Sequence, residues 1–135
     1  MPTLRCNCRC SYCYMHEVEK KDPGRKGDFL QALEEFASDF SSSSSELPQL
    51  RFIGGEPLIE KSMVVELTGV FFQRFPRGMV VVNSNGTLID PSYVSDMAGY
   101  GEKLVHVVSL DGLKDQHDSR RKLLQGGSSF EEAVK

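Results

Sequence analysis

The sequence lacks a membrane span, a surplus of positive charge and a recognisable export signal. No segment approaches the ~18 apolar residues that a transmembrane helix needs. The net charge is −3, which argues against a protein whose main partner is nucleic acid. Residues 1–5 do not have the apolar core of a signal peptide. We therefore expect a cytoplasmic protein with neither a nucleic-acid nor a membrane partner.

Cysteine is absent everywhere except in the stretch CNCRCSYCY, residues 6–14. Disulfides explain this stretch poorly, because bridges between thiols so close in sequence would close strained loops. Soft thiolates bind zinc, copper(I) or iron–sulfur clusters. A closed zinc site usually takes its ligands from two separated pairs, and there is no second pair here. The cysteines alone leave two readings open, an iron–sulfur cluster and compact zinc binding, and either suits a reducing compartment.

Hydrophobic periodicity predicts that strands and helices alternate along the chain. The predicted strands are residues 2–5, 50–53, 79–82 and 104–108, and the predicted helices are residues 28–40, 60–75, 91 to about 99 or 101, and one that begins near residue 128. Asp28 and Asp90 are the predicted N-caps of the first and third helices. A polar turn over residues 17–27 and a flexible serine run over residues 41–45 connect the first elements.

Each predicted strand is followed by a distinctive loop. These loops are the cysteine stretch, Gly-Gly-Glu-Pro at 54–57, Asn-Ser-Asn-Gly at 83–86 and Ser-Leu-Asp-Gly at 109–112. Alternating strands and helices imply parallel strands with right-handed crossovers. Parallel strands place their carboxyl ends on one rim, so the four loops are expected to surround one cavity. Their convergence predicts an active site.

The cysteine spacing and the Gly-Gly-Glu-Pro loop together resemble the radical SAM superfamily. Its members hold a [4Fe–4S] cluster with three cysteines spaced C-x3-C-x2-C and leave the fourth iron to S-adenosylmethionine (SAM). The resemblance implies that Cys6, Cys10 and Cys13 are the ligands. An open position is typical of a metal site that carries out chemistry. Cys8 departs from the usual apolar residue, and we expect it to point away and not to be a ligand.

The resemblance also implies which residues hold SAM. Paired glycines let a ligand approach the backbone closely, and Glu56 would help to fix the amino group of SAM. Tyr12 resembles the aromatic residue beside the adenine. The implied cofactor-binding residues are Tyr12, Gly54, Gly55, Glu56, Pro57, Asn85, Ser109 and Asp111. Asp111 is also the one candidate catalytic residue apart from the cluster.

The segment after residue 112 is similar to one branch of this superfamily. His117-Asp118-x-x-Arg121 followed by Gly-Ser-Ser-Phe at 127–130 resembles anaerobic sulfatase-maturating enzymes and other peptide maturases. Those enzymes usually add a SPASM domain with further clusters, and no SPASM cysteines are present here. We interpret His117, Asp118 and Arg121 as a hydrogen-bonded structural loop in preference to substrate contacts.

The expected fold is α/β, with about four βα units of a partial (βα)6 barrel. Residues 1–135 form one incomplete radical SAM core domain under this interpretation. The implied function is formation of a 5′-deoxyadenosyl radical that modifies a peptide or protein, with a flavodoxin or ferredoxin as electron donor. The alternatives are a non-catalytic fragment, a cysteine-rich metal-binding module that acts through a partner, and a small activase of a partner enzyme. Iron with acid-labile sulfide would distinguish a cluster from a single zinc.

Overall fold

A computed structural model of the protein describes residues 1–16, 26–40 and 47–135. In chain order its elements are β1 (Cys8–Cys10), α1 (Lys26–Asp39), β2 (Gln49–Phe52), α2 (Lys61–Arg74), β3 (Met79–Ser84), α3 (Pro91–Met97), β4 (Leu104–Val108), α4 (Lys114–Arg120), β5 (Arg121–Leu123) and α5 (Ser129–Val134). Short 3-10 turns cover Tyr14–His16, Pro57–Glu60 and Ala98–Lys103. The predicted serine run and most of the predicted turn over 17–27 lie outside the described residues.

The main sheet has three parallel strands in the order β2–β3–β4. Phe52 is in register with Val82, and Ser84 is in register with Val108. Val80 and Val82 are fully buried, because β3 is central and helices cover the sheet; this explains its continuous apolar sequence. The α/β class and the parallel strands agree with the sequence-based prediction, and the described strands form an open sheet, not a closed barrel.

The core lies between the sheet and the helices α1 and α2. Phe71 is 1% exposed, and Phe75 contacts the rings of Phe36, Phe40 and Phe71 at centroid distances of 5.2–5.6 Å. Burial of each large apolar side chain stabilises the fold by about 1.5–3 kcal/mol. This aromatic layer fixes the strands whose carboxyl ends carry the loops. No described helix is both long enough and apolar enough to cross a membrane.

The start of the chain differs from the prediction. Residues 2–5 do not join the described sheet; instead the carbonyl oxygens of Thr3 and Arg5 accept hydrogen bonds from the N–H groups of Gly55 and Glu56 at 3.2 and 2.8 Å. The cysteine stretch itself forms β1, which pairs antiparallel with β5. The described residues therefore form three parallel strands and a separate two-stranded ribbon, not the four parallel strands predicted.

Side chains cap the N-termini of α3 and α5, whereas the N-cap predicted for the first helix is not observed. Asp90 Oδ1 accepts a hydrogen bond from Tyr93 N at 2.9 Å and caps α3 as predicted. Ser128 Oγ accepts from Glu131 N at 3.1 Å and caps α5, the helix predicted to begin near residue 128. The prediction for Asp28 is wrong, because α1 begins at Lys26 and Asp28 lies in its first turn. Helix α4 was not predicted, because its segment KDQHDSR has no apolar stripe for periodicity to detect. Strand β5 was not predicted either, because it has only three residues.

Candidate functional site

A cavity of about 690 Å³ opens at the carboxyl ends of the strands. It is lined by all four cysteines and by several of the residues that the sequence singled out. The residues that matter for the chemistry are Cys6, Cys8, Cys10, Tyr12, Cys13, Gly54, Gly55, Asn85, Ser109 and Arg121. Glu56, Pro57 and Asp111 are not among the lining residues. The four predicted loops therefore each contribute residues to one cavity, as expected, but these three predicted residues do not line it.

The four cysteines are free, and they face the cavity from one short segment. In β1 the Cys8 and Cys10 side chains are buried and Arg9 is exposed. Side chains alternate along a strand, so residues two positions apart share a face. The expectation that Cys8 points away from the other thiols is wrong for this reason. Its exclusion from the ligand set stays a prediction.

The thiols are electrostatically distinct. A hydrogen bond from Cys8 lowers the pKa of the Cys6 thiol to about 6, and Cys8 N also donates to Cys6 Sγ at 3.4 Å. The same side-chain interaction raises the pKa of Cys8, and burial raises the pKa of Cys10. The interaction therefore favours the thiolate form of Cys6, which is the form that binds metals, and disfavours ionisation of Cys8.

The two glycines after β2 are required by the chain that lies against them. A Cβ on Gly55 would lie 2.1 Å from the carbonyl oxygen of Arg5. A Cβ on Gly54, which has φ of +144°, would lie 2.4 Å from the carbonyl oxygen of Thr3. The close approach predicted for a ligand is thus already made by the protein's own backbone, and the same loop lines the cavity on its other side.

Glu56 is fully buried and ties two loops together. Its Oε1 accepts hydrogen bonds from Leu58 N at 3.0 Å and Ser84 Oγ at 2.9 Å, and its Oε2 accepts from Asn85 N at 2.7 Å. Burial raises the pKa of this carboxyl, and the three donors oppose that rise. Glu56 therefore links the loop after β2 to the end of β3. The contact expected with an amino group of a ligand is not the role that these partners give it.

Asp111 connects the cysteine stretch to β5. The Tyr12 hydroxyl donates a hydrogen bond to Asp111 Oδ2, and Arg121 Nε lies 3.2 Å from the same oxygen. The backbone N–H of Asp111 donates to His117 Nδ1 at 3.2 Å. The hydrogen bond from Tyr12 and the charge of Arg121 lower the pKa of Asp111. Asp111 is thus an ionised residue beside the cavity, and its contacts are with Tyr12, Arg121 and His117.

Asp118 holds the beginning of α5. Its carboxylate accepts hydrogen bonds from Ser128 Oγ at 2.6 Å, Ser129 Oγ at 3.1 Å and Phe130 N at 2.9 Å. His117 is buried and packs edge-on against Phe130 at 5.7 Å between ring centroids. These contacts are those of a structural loop, which is how the sequence motif was interpreted.

Asn7 and Thr87 belong to the site although neither was among the predicted site residues. Asn7 Nδ2 donates to Thr87 Oγ1 at 2.8 Å, and Asn85 Nδ2 donates to Asn7 Oδ1 at 2.8 Å. Asn7 is adjacent to Cys6, and Thr87 directly follows the Asn-Ser-Asn-Gly loop. Adjacency to two motifs was the only available signal, because the contact forms across 80 residues of sequence.

Comparison with known proteins identifies the family. A profile of the radical SAM superfamily matches residues 1–135. The chain belongs to the radical SAM superfamily. It is 34% identical over 113 residues to a GTP 3′,8-cyclase of Geobacter sulfurreducens, a match that covers 83% of the chain and 33% of the relative. It is 31% identical over 134 residues to the serine-type anaerobic sulfatase-maturating enzyme of Bacteroides thetaiotaomicron, covering 93% of the chain and 31% of the relative. The chain thus spans about a third of the length of these relatives.

Solved structures confirm the radical SAM fold. Native anSMEcpe with bound AdoMet and a Kp18Cys peptide superposes with a TM-score of 0.81 at 23% identity, covering 98% of this chain and 36% of that one. Native anSMEcpe with bound AdoMet gives a TM-score of 0.81 at 22% identity, with the same coverage. The described sheet and helices are therefore part of a radical SAM barrel.

The residues at the cavity fit the cofactors of this superfamily by their chemistry. Radical SAM proteins use a [4Fe–4S] cluster and SAM, and thiolates are the ligands that iron–sulfur clusters take. Three free thiols at the family spacing face one cavity, beside a glycine loop that also lines it. Within the described ranges, no three Cys, His, Asp or Glu side chains are grouped as a metal-ion site. The free thiols and the adjoining loop are thus the residues that would hold a cluster and SAM.

Proposed function

We propose that this chain is the cofactor-binding part of a radical SAM enzyme that modifies a peptide or protein side chain. The observation that carries the proposal is the single cavity shared by the cysteines, the glycine loop and the ends of β3 and β4. Cys6, Cys10 and Cys13 would hold the cluster. Tyr12, Gly54, Gly55, Asn85 and Ser109 would surround SAM. Asp111 acts on this site through Tyr12 and not through a ligand.

When bound, the cluster supplies the electron that cleaves SAM into methionine and a 5′-deoxyadenosyl radical. The protein's contribution is to bind, orient and exclude water. Buried Cys10 and Arg121, which is held by its ion pair with Asp111, border one side of the cavity, and the glycine loop borders the other. A flavodoxin or ferredoxin suits the electron-donor role, and the free thiols suit the cytoplasm.

The substrate class is inferred from relatives. Similarity to a sulfatase-maturating enzyme extends over 93% of this chain, which favours a peptide. A nucleotide is the second candidate, since the GTP 3′,8-cyclase of Geobacter sulfurreducens is 34% identical. Loaded protein supplied with a peptide or with GTP would be assayed for substrate-dependent 5′-deoxyadenosine. Turnover that GTP accelerates and peptides do not would replace the first candidate with the second.

Anaerobic reconstitution with iron and sulfide tests the cofactor assignment. We expect an oxygen-sensitive cluster whose electron paramagnetic resonance spectrum changes when SAM is added. Cys6→Ala, Cys10→Ala and Cys13→Ala should each lose iron and 5′-deoxyadenosine formation, whereas Cys8→Ala should keep both. A spectrum indifferent to SAM, or zinc in place of iron, would favour a closed metal-binding module. Iron loss in Cys8→Ala as complete as in the others would show a four-thiolate site.

A further inference from the structure

The side-chain amide of Asn85 lies against the sulfurs of the cysteine stretch. Its Nδ2 is 3.4 Å from Cys8 Sγ and 3.9 Å from Cys6 Sγ. Asn85 is only 8% exposed, so water does not compete effectively for this donor. A buried amide pays a free-energy cost unless its N–H groups find acceptors, and two of the nearest acceptors here are sulfur atoms.

The orientation of the amide is fixed by its neighbours. Asn85 Oδ1 accepts hydrogen bonds from Thr87 N at 3.0 Å and from Thr87 Oγ1 at 2.7 Å. A backbone N–H can only donate, so the oxygen of the amide must face Thr87 and its NH2 group must face the sulfurs. Asn7 extends the network, since it accepts from Asn85 Nδ2 and donates to Thr87 Oγ1.

The position of Asn85 is fixed from a second side. Its backbone N–H donates to Glu56 Oε2 at 2.7 Å, and the fully buried Glu56 is itself held by Leu58 and Ser84. The amide therefore cannot swing away from the cysteine stretch without breaking several buried hydrogen bonds. Unsatisfied buried groups of this kind are costly, so the donor stays in place.

We propose that Asn85 is a positioning residue that donates N–H···S hydrogen bonds to Cys6 and Cys8 and thereby raises the reduction potential of the cluster that Cys6 helps to hold. This inference rests on the proposed function. Reduction adds negative charge to the cluster and its thiolates, and a donor aimed at a sulfur stabilises that charge. The low local dielectric of a buried amide strengthens the effect.

Asn83 provides a matched control. It is the same residue type, it lies two positions earlier on the same chain segment, and it also lines the cavity. Among the described residues its Oδ1 has no hydrogen-bond partner, and of these two asparagines it is Asn85 that has described contacts to the cysteine sulfurs. If these amides acted only as part of the cavity lining, replacing Asn83 and replacing Asn85 would have the same effect on the reduction potential.

The test is a redox titration of the reconstituted chain without SAM, followed by electron paramagnetic resonance. Asn85→Leu, similar in size but without donors, and Asn85→Asp, which keeps the acceptor for Thr87, should both shift the midpoint to lower potential. Asn83→Leu should leave it unchanged. An unchanged midpoint in Asn85→Leu, or an equal shift in Asn83→Leu, would overturn the inference. Wild-type protein that holds no iron–sulfur cluster would instead overturn the proposed function.

A second readout serves if the Asn85 variants lose the cluster. Co²⁺ bound to the apo-protein gives thiolate-to-metal charge-transfer bands, whose energy rises when a donor stabilises the thiolate. We expect these bands to move to longer wavelength in Asn85→Leu and to stay fixed in Asn83→Leu. Bands that coincide with those of the wild type would count against the hydrogen bonds.

Discussion

Arg121 and Asp111 form an ion pair in which Arg121 Nε lies 3.2 Å from Asp111 Oδ2 and the side chains are only 14% and 18% exposed. The guanidinium carbon of Arg121 is also 5.5 Å from the centre of the Tyr12 ring, within the range of a cation–π contact. Because Tyr12 lies between Cys10 and Cys13, this pair clamps the end of the cysteine stretch against β5.

Removing the clamp should destabilise the apo-protein. Asp111→Ala removes the ion pair with Arg121 and the hydrogen bond that the carboxylate accepts from Tyr12, and a hydrogen bond to a charged group contributes about 1.5–3 kcal/mol. We expect a loss of about that size in the free energy of unfolding, measured with urea. Lys26→Ala is the control, since its ion pair with Glu66 is exposed and should contribute ~0–1 kcal/mol. Equal losses in the two variants would contradict the clamp.

Glu56→Gln should be destabilising although it is nearly isosteric. An amide in place of the carboxylate would turn an NH2 group toward Asn85 N–H or toward the donors of Leu58 and Ser84. At least one buried donor would then lack an acceptor, at a cost of about 1–3 kcal/mol. Glu60→Gln, on the exposed pair with Arg5, is the control and should cost ~0–1 kcal/mol. Urea unfolding of both variants measures the difference.

Gly55→Ala should displace the first residues of the chain. The added methyl would lie 2.1 Å from the carbonyl oxygen of Arg5, which forces the backbone apart and breaks the hydrogen bond from Glu56 N to that oxygen. We expect faster proteolysis near residues 1–5 and a lower midpoint of thermal unfolding. Gly99→Ala, where no atom lies within 4 Å of the new methyl, should resemble the wild type. Identical digestion patterns would be evidence against this packing.

Asp118 should make stability depend on acid pH. Its hydrogen bond from Ser128 Oγ, followed by that from Phe130 N, lowers the pKa of Asp118 below the ordinary value of 3.8. A carboxyl with a depressed folded-state pKa adds stability above its unfolded pKa and loses it as the pH falls through the folded pKa. Asp118→Ala should thus be less stable than wild type at about pH 6, and the gap should narrow below 3.8. Urea midpoints across this range measure it, and a constant gap would refute the assignment.

β4 should promote self-association of the chain. Among the described strands it pairs with β3 only, and Val105 and Val107 are 38% and 43% exposed. Apolar strands with an unpaired edge are templates for aggregation, and lysine on such a strand suppresses it. Light scattering of dilute wild-type chain should show oligomers, and Val107→Lys should reduce them. A monomeric wild type with a sharp, cooperative thermal transition would show that the edge is harmless.

Local sequence signals predicted the features that depend on near neighbours. The apolar run of β3 and the Asp90-Pro91 start of α3 are set by burial and capping within a few residues, so periodicity and cap preferences were sufficient. Features that depend on distant partners were missed. The polar helix α4 is stabilised by contacts of His117 and Asp118 with residues of other segments, and β5 exists because it pairs with β1.

The same distinction between near neighbours and distant partners applies to the candidate site. Convergence of the three loops after β2, β3 and β4 follows from parallel strands, and the sequence order supported it. The cysteine stretch reaches the same cavity through its antiparallel pairing with β5, which the sequence order did not indicate. The hydrogen-bond partners of individual side chains could not be predicted from the order of the motifs. Glu56 finds donors from two different loops, and Cys8 shares a face with Cys10 because the cysteine stretch is extended. The spacing of the motifs predicts neither of these two arrangements.

The pairing of β1 with β5 determines when the cysteine stretch can reach its final geometry during synthesis of the chain. Cys8 is in register with Leu123, so the cysteine stretch is synthesised early, but its partner strand emerges only after the parallel sheet is complete. Chains emerge from the ribosome amino terminus first, and pairings between residues distant in sequence form slowly. The thiols therefore spend the whole synthesis of β2 to β4 without their final geometry. Under the proposed function, iron and sulfide would therefore be taken up only after β5 has paired with β1.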